Sequence, residues 1–480
     1  MAEATYPSEF EQRVLAIEAP GRAPMRANLV APTITVPGEP FAVKVALADE
    51  AGYPSVELDG AITVRGDFAS PPAVEVAFRK GRPAVAAASG VTIAAEGLFR
   101  FEAELNGHVF HSNPTRCRAG GRARIYWGDP HVHTVLSDCH PDLCRSALFC
   151  FTAARHFAGL DWACAADHVS NGRCELARWK ESAAVSDACN DPPAFVTLPG
   201  YEASFKGGCG GDNNVYMIRW PSIFVEDYES GSVRTVCRKL AEELAPGEEF
   251  FVVPHHTTRT GKHGEIPDDI YPGEELMPVV EVHSKWGTSE YRGNPNPLCE
   301  VHPGPSYAVD LLNRGLRMGF VGGTDTHSTM PAGLGHEHLD RPPGMTAVLT
   351  EELTRPAIYH GIRRRNCYAA SIERIYLDVT VAGAAMGRSL SWPDAAAERA
   401  IEAAAAGRSD IERIDVVRNG ETIHSHAVGG WAGGVSFTDA DDLSGLWLES
   451  EYLGRFAYYY VRVTCASGAQ AWSSPVWLIG

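Results

Sequence analysis

Six apolar segments in the middle of the chain each end in residues that can bind a metal ion. RIYWGDPHVH, DWACAADH and GFVGGTDTH are examples, and each apolar run leads into His, Asp or Glu. The carboxyl ends of the strands in an α/β barrel meet at one face, where such enzymes carry their catalytic groups. The segments therefore predict one shared site, and they end in Asp129, His131 and His133; Asp167 and His168; Glu202; His255 and His256; Glu281 and His283; and Asp325 and His327.

The spacing of these residues favours metal binding. Residues two apart on a strand point to the same face, so His131 and His133 can hold one ion together, as can Asp325 and His327. Imidazole and carboxylate together suit Zn, Mn or Fe better than Mg or Ca. Glu202 is a candidate bridge between two ions. Metal ions close together lower the pKa of a bound water and supply hydroxide at neutral pH. The pattern predicts hydrolysis without a Ser or Cys nucleophile.

A structural explanation competes with this prediction. A lone histidine at a strand end is more often a satisfied structural residue than a ligand. Six clusters in order are harder to explain that way, because burying so many unpaired polar groups is costly. The metal-site hypothesis is therefore favoured.

The segments around the clusters predict three regions. Residues 119–370 alternate short apolar strands with helical stretches, which is typical of βα units and a mainly parallel sheet. Residues 1–118 and 371–480 are β-rich and predict two sandwich-like domains. The stretch IDVVRNGETIHSH, with its Asn-Gly pair, predicts a hairpin in the third region.

Composition excludes some classes of function. The chain has 480 residues and a formal net charge of -18, which argues against a nucleic-acid partner. It contains no apolar run long enough for a transmembrane helix. Its first residues do not resemble an export signal, so we expect a cytoplasmic protein with free thiols and no membrane partner. The sequence is compatible with a homo-oligomer.

The middle region resembles the PHP superfamily, named for polymerase and histidinol phosphatase domains. The motifs that carry this resemblance are GDPHVHTVLSD, AADH, PHHT and GGTDTHS, with PGYE between the second and third. The match covers about half of the chain. The chain also resembles a poorly characterised branch of that family with β domains on both flanks. The resemblance implies a distorted (βα)7 barrel that binds up to three divalent ions (Mn, Zn or Fe).

The resemblance also implies a ligand set for each ion. The first ion would take His131, His133, Glu202 and Asp325. The second would share Glu202 and take His255, with His256 as an alternative. The third would take Asp138, His168 and His327. One departure stands at Asp212, which occupies a position where the family often has a histidine, so we include Asp212 as a ligand of the second ion.

The predicted function is hydrolysis by metal-activated hydroxide, with a phosphoester as the first substrate because clustered cations stabilise phosphoryl charge. Alternatives are hydrolysis of a carboxylic ester, lactone or amide at the same site, or a metal-containing binding protein. Asp129 and Asp167 are expected to orient neighbouring histidines. We expect a small anionic substrate. The predicted catalytic residues are Asp325, Glu202 and His327, and the predicted substrate-binding residues are Arg259, Lys285, His283 and His256.

Overall fold

Sheet dominates the structure, a computed structural model that describes residues 3–137, 139–140, 142–168, 176–205, 208–220, 231–259, 264–298, 304–333 and 342–480. Helices are few and short in this part of the chain. None of the described helices combines the length and the apolar character needed to cross a membrane. The α-helices are α1 (Glu9–Glu18), α2 (Ala147–Thr152), α3 (Leu176–Cys189), α4 (Val233–Glu243), α5 (Ala308–Asn313) and α6 (Arg355–Arg363).

The first region forms two main sheets around one apolar core. The sheet orders are β1-β8-β4-β2, with β6 on β8, and β11-β10-β5-β7, while β3, β12 and β9 form a smaller sheet. Their strands are β1 (Glu3–Thr5), β2 (Arg26–Val30), β3 (Ile34–Thr35), β4 (Phe41–Ala48), β5 (Gly60–Arg65), β6 (Ala69–Ser70), β7 (Ala73–Phe78), β8 (Val85–Ile93), β9 (Gly97–Phe99), β10 (Glu102–Leu105), β11 (His108–His111) and β12 (Thr115–Cys117).

Helix α1 connects this first region to the middle one. Ser8 caps its first turn in a reciprocal bond with Glu11, which satisfies amide groups that a helix start leaves unpaired. At its other end, the Glu18 carboxylate accepts hydrogen bonds from the Ser146 amide at 2.9 Å and the Ser146 hydroxyl at 2.6 Å. Ser146 is the N-cap of α2, so a residue of the first region holds the start of this helix of the middle region.

The middle region is less parallel than the sequence predicts. Strands β13, β14 and β15 are parallel, as are β19 and β21, but β16, β17 and β18 form an antiparallel meander. The link from β16 to β17 is too short for the crossover that a parallel pair needs. The strands are β13 (Arg124–Val132), β14 (Trp162–Ala165), β15 (Val196–Thr197), β16 (Gly200–Ser204), β17 (Asp212–Met217), β18 (Phe250–His255), β19 (Val279–Ser284), β20 (Gly287–Thr288), β21 (Gly319–Gly322), β22 (Gly344–Thr350) and β23 (Cys367–Ser371).

Two isolated bridges bring these three groups of strands together at one end. Val132 pairs in parallel with Thr326, which joins the end of β13 to the segment after β21. His168 pairs in parallel with Glu202, which joins the segment after β14 to β16. The second bridge pairs two predicted ligands, and the first lies directly between predicted ligands on both of its segments, so the backbone itself gathers the strand ends.

The third region continues the sheet of the middle region, because β23 pairs with β31. The predicted hairpin forms between β27 and β28, and Asn419 and Gly420 both have positive φ, as a tight two-residue turn requires. The division into three domains, at residues 118/119 and 370/371, remains a prediction. The strands are β24 (Tyr376–Val381), β25 (Ala384–Ala385), β26 (Ser389–Ser391), β27 (Arg399–Arg418), β28 (Glu421–Asp439), β29 (Leu448–Ser450), β30 (Gly454–Cys465), β31 (Gln470–Ser473) and β32 (Val476–Ile479).

Candidate metal centre

Glu202 lies at the centre of the gathered strand ends. Its Oε2 is 3.6 Å from Nε2 of His131, 3.2 Å from Nε2 of His133 and 3.2 Å from Nδ1 of His168. Its Oε1 is 3.4 Å from Nε2 of His255. Burial would raise the pKa of this carboxyl, but the surrounding imidazoles hold it well below its ordinary value. One carboxylate thus contacts four histidines from three different segments, as a bridging ligand would.

Asp325 is the second carboxylate shared by several histidines. Its Oδ1 lies 3.1 Å from Nε2 of His133 and 3.6 Å from Nε2 of His131, while its Oδ2 lies 2.8 Å from Nε2 of His256. Asp325 and His256 both have positive φ, at 51° and 54°. Side-chain-bearing residues rarely adopt this conformation, and where they do it is concentrated at functional sites.

Asp212 lies beside the two adjacent histidines of the PHHT motif. Donor atoms of Asp212, His255 and His256 all lie within 4.8 Å of one another. β17 and β18 produce this arrangement, because Asp212 is paired directly opposite His255 in the antiparallel register. Burial alone would lower the pKa of His256, but Asp212 and Asp325 raise it to about 9. The structure therefore places Asp212 and His256 among the candidate ligands.

The other corner of the cluster contains a residue that the sequence analysis missed. Donor atoms of His133, Cys139, His168 and His327 lie within 4.8 Å of one another. The ring of His133 stacks on that of His168 at 4.7 Å and on that of His327 at 4.5 Å. Asp138, the predicted ligand in this stretch, lies outside the described residues. No motif pointed to Cys139, although it directly follows that aspartate.

Glu281 ends one of the segments of the predicted shared site, but the sequence pattern assigns it no role there. Its Oε2 lies 3.2 Å from Nδ1 of His131, so it can orient that ring. Gly323 makes this approach possible, because a Cβ there would lie 2.6 Å from Glu281 Oε2 and 2.7 Å from His131 Cβ. The second glycine of GGTDTH was the available signal for this close contact.

Asp129 and Asp167 hold backbone segments rather than histidine rings. Asp129 accepts hydrogen bonds from the amides of His131, Thr324 and Ala332 at 3.0–3.1 Å. Asp167 accepts from the Thr134 amide at 2.7 Å and its hydroxyl at 2.8 Å. Asp129 thus holds His131 through its backbone amide rather than through its ring. The ring nitrogens Nδ1 of His131 and His133 instead contact Glu281 and Ser137.

Two predicted substrate-binding cations contact the ring of Trp286. Lys285 Nζ lies 4.8 Å from the Trp286 ring centroid and 3.0 Å from Nδ1 of His327. The Arg259 guanidinium lies 4.9 Å from the same ring. The Trp286 ring is itself 6.0 Å from the rings of His256 and His327. Both cations are therefore held at the rim of the histidine cluster.

His283 has a different environment from the other predicted substrate-binding residues. Its Nδ1 lies 2.8 Å from Thr288 Oγ1, its Nε2 lies 3.1 Å from the Pro342 carbonyl, and its ring stacks on Trp472 at 5.6 Å. Burial lowers the pKa of His283 to about 4, which keeps the ring neutral. Both ring nitrogens are occupied in the structure, so nothing in its geometry supports substrate contact.

The hydrogen bonding of the buried histidine nitrogens indicates whether this cluster fits metal ions. Nε2 of His131, Nδ1 of His168 and both ring nitrogens of His255 make no hydrogen bond within the described part of the chain. Unpaired buried polar atoms are costly. They lie beside carboxylates at distances that a divalent ion with bonds of about 2.0–2.2 Å could span. The imidazole and carboxylate donors fit a divalent transition metal.

Comparisons with known proteins give relatives without an assigned function. The chain is 26% identical over 385 residues to an uncharacterized protein of Chlamydia pneumoniae, covering 77% of this chain and 60% of that protein. It is 26% identical over 401 residues to an uncharacterized protein of Chlamydia trachomatis serovar D, covering 80% and 62%. The chain thus matches only about three fifths of the length of these relatives. No family model matches the chain.

A solved structure from Bacteroides vulgatus is also similar. It is a two-domain protein described as containing a predicted PHP-like metal-dependent phosphoesterase. The similarity covers 71% of this chain and 91% of that one, with 11% sequence identity and a TM-score of 0.38. At this level of similarity, the chemistry of the present chain has to be argued from its own residues.

Proposed function

We propose that this protein is a metal-dependent hydrolase of the PHP type. The observation that carries the proposal is the convergence of buried imidazoles on Glu202 and Asp325, with ring nitrogens that have no hydrogen-bond partner within the described part of the chain. Among the described residues no lysine or arginine pairs with Glu202 or Asp325, so the charge of these buried carboxylates has to be offset by protons on the histidines or by bound cations. Divalent ions do so, and they leave the donors in the neutral-imidazole and carboxylate forms that bind metal.

We further propose a distorted barrel as the frame of the site. The parallel bridges Val132–Thr326 and His168–Glu202 link the ends of neighbouring sheets, and β16, β17 and β18 supply the intervening wall. The antiparallel meander is the distortion. This arrangement supports candidate ligands on short, rigid strand ends, where small movements of a ligand are restrained.

Ions bound at this site would supply Lewis-acid activation of a phosphoryl group and a hydroxide nucleophile at neutral pH. The residues of the chain have separate roles. Glu202 holds several histidines around one carboxylate, and Glu281 orients the His131 ring. Asp325 would orient the nucleophile or accept its proton, because its Oδ1 contacts His133 and its Oδ2 contacts His256 within the cluster. His327 lies next to Lys285 at the rim.

The proposed substrate is a small phosphate ester. Lys285 is almost fully buried, and its Nζ lies 3.0 Å from Nδ1 of His327 at the edge of the cluster. Arg259 stacks on Trp286, and its Nε has no hydrogen-bond partner among the described residues. An arginine can grip phosphate oxygens in a bidentate manner. Together these cations could contact phosphoryl oxygens that point away from the metal ions.

Metal analysis combined with a substrate panel tests the proposal. Purified protein is assayed for Zn, Mn and Fe, then stripped with a chelator and reloaded. We expect at least one bound ion per chain, phosphate release from a mono- or diester, loss of turnover on stripping and inhibition by inorganic phosphate. Protein that neither carries nor takes up metal would overturn the proposal. Cleavage of only a carboxylic ester, lactone or amide, without phosphate inhibition, would keep the hydrolase and reject the phosphoester.

A further inference from the structure

One corner of the histidine cluster contains sulfur as a donor. Cys139 is a free, partly exposed thiol, and its Sγ lies within 4.8 Å of ring nitrogens of His133, His168 and His327. The donors of a four-coordinate ion with one Zn–S and three Zn–N bonds lie about 3.5 Å apart. Small side-chain adjustments would therefore bring this group around a single ion.

His133 belongs to the neighbouring part of the cluster. Its Nε2 lies 3.2 Å from Glu202 Oε2 and 3.1 Å from Asp325 Oδ1. Its Nδ1 lies 2.9 Å from the Ser137 hydroxyl. Both ring nitrogens of His133 are therefore directed to other partners. Cys139, His168 and His327 are then the candidate ligands of a separate ion in this corner, although Nδ1 of His168, which makes no hydrogen bond within the described residues, also lies 3.2 Å from Glu202 Oε2.

The exposure of this corner also differs from that of the other donor groups. His131, Glu202, His255 and Asp325 are all buried, whereas Cys139 and His168 are partly exposed. Three protein ligands with access to solvent resemble the arrangement of catalytic zinc sites, which keep one coordination position open. The deeper groups have imidazole and carboxylate donors only.

The donor types set the metal preference. Thiolate selects thiophilic ions such as Zn, while carboxylate-rich groups accept Mn and other harder ions. We propose that Cys139, as a thiolate, binds a zinc ion together with His168 and His327, so that the cluster holds two chemically different kinds of site. This rests on the proposed function only in that the neighbouring groups also bind metal.

The chain provides a matched control for the cysteine. Cys144 lies in the same segment, is buried, and donates its Sγ–H to the His327 carbonyl at 3.1 Å. It belongs to none of the donor groups within the described part of the chain. Cys144→Ser therefore makes the same chemical change near the same histidine without removing a proposed ligand.

Cobalt substitution tests the proposal through a spectroscopic signal rather than activity. The stripped chain is titrated with Co²⁺, and absorbance is followed in the near-ultraviolet region where sulfur-to-cobalt charge transfer occurs. We expect the charge-transfer band in the wild type, in Cys144→Ser and in Asp138→Asn. Cys139→Ser should lose this band and should bind about one equivalent of zinc less than the wild type. Cys139→Asp should retain an ion there but shift the preference from Zn toward Mn.

The outcomes separate this inference from the proposed function. A chain that binds no metal at all overturns both. A chain that binds metal with no thiolate band, or in which Asp138→Asn rather than Cys139→Ser releases the ion, overturns only the role of Cys139. Circular dichroism of Cys139→Ser, compared with Cys144→Ser, shows whether the variant is folded. If Cys139→Ser is misfolded, the Cys139→Asp variant is measured in its place. Loss of the charge-transfer band in Cys139→Asp without a gain in preference for Mn contradicts the proposal.

Discussion

Two clusters of buried ionisable groups lie in this molecule, and they are satisfied in different ways. In the third region, Arg462 contacts Glu290 at 2.7 Å and Asp415 at 3.0 Å. Glu290 also accepts hydrogen bonds from the Tyr460 hydroxyl at 2.6 Å and the Trp472 indole at 2.7 Å. No side-chain oxygen of Glu290 or Asp415 is left without a partner in the described part of the chain.

In the part of the chain that the structure describes, no arginine or lysine is paired with the central carboxylates of the strand-end cluster. Glu202 and Asp325 are surrounded by histidines, several of whose ring nitrogens make no hydrogen bond within the described residues. Burial would lower the pKa of His133, yet the two carboxylates raise it to about 10. Without metal, protons hold this cluster together. The comparison teaches that buried charged groups stabilise the fold where the protein supplies their ion-pair and hydrogen-bond partners. Where such partners are missing, buried charged groups indicate a ligand site.

The largest expected effect is the loss of turnover in Asp325→Asn. The amide cannot replace a carboxylate shared by His131, His133 and His256, so we expect a loss of about 10²–10³-fold in kcat/KM, of the size seen when preorganised charge stabilisation is removed. Steady-state kinetics with saturating metal measures it. Asp59→Asn, at an exposed position, is the control, and similar activity in both variants would remove Asp325 from the site.

Glu290→Gln is expected to lower the stability of the fold without changing metal binding. Removing one charge of the buried Arg462–Glu290–Asp415 network leaves an arginine insufficiently paired, which costs about 3–5 kcal/mol of unfolding free energy. Denaturant unfolding measures the loss. The metal content of the folded protein should not change. If stability is unaffected or the bound metal is lost, the two clusters are not separate in the way proposed.

A smaller effect is expected for Glu281→Gln. Its carboxylate orients His131 from behind, at 3.2 Å from Nδ1. Loss of such an outer-shell partner typically reduces metal affinity by about 10–100-fold. Competition with a chromophoric chelator gives the affinity directly. An unchanged metal affinity would assign Glu281 to packing alone.

Asp212→His should change which metal binds more than how tightly it binds. Asp212 lies with His255 and His256 in one donor group, and imidazole in place of carboxylate softens that group. We expect a shift from Mn or Fe toward Zn, measured by competitive loading followed by elemental analysis. The same metal profile before and after the substitution would exclude Asp212 as a ligand.

Mild acid should affect the two clusters at different pH values. Burial would raise the pKa of Asp415, but Ser425 and Arg462 hold it below its ordinary 3.8. Its stabilising effect is therefore complete above 3.8 and is lost as the pH falls from there through the folded-state pKa. Metal binding weakens earlier, because protons compete for imidazole. At about pH 5 we expect released metal with the Arg462 network intact, detected by metal content and by unfolding curves. Simultaneous loss of both would contradict this.

The sequence by itself determined where many candidate ligands lie along the chain. His131 and His133 alternate on one strand, and Asp325 follows a buried apolar strand, because strand periodicity and burial are local properties of sequence. The Asn-Gly hairpin was predicted for the same reason. The parallel character of the middle region was only partly correct, since the partner that a strand takes depends on its neighbours in the whole sheet.

Only the tertiary structure decided which residues meet across the site. Glu281 contacts His131 although 150 positions separate them, and Cys139 joins the histidine corner without any motif of its own. Glu290 pairs with Arg462 across the junction of two regions. Local patterns cannot specify such contacts, because they depend on how separate segments pack and on which buried charges find a partner there. The same packing left ring nitrogens of His131, His168 and His255 without a hydrogen bond among the described residues, and this observation supports the proposed metal site.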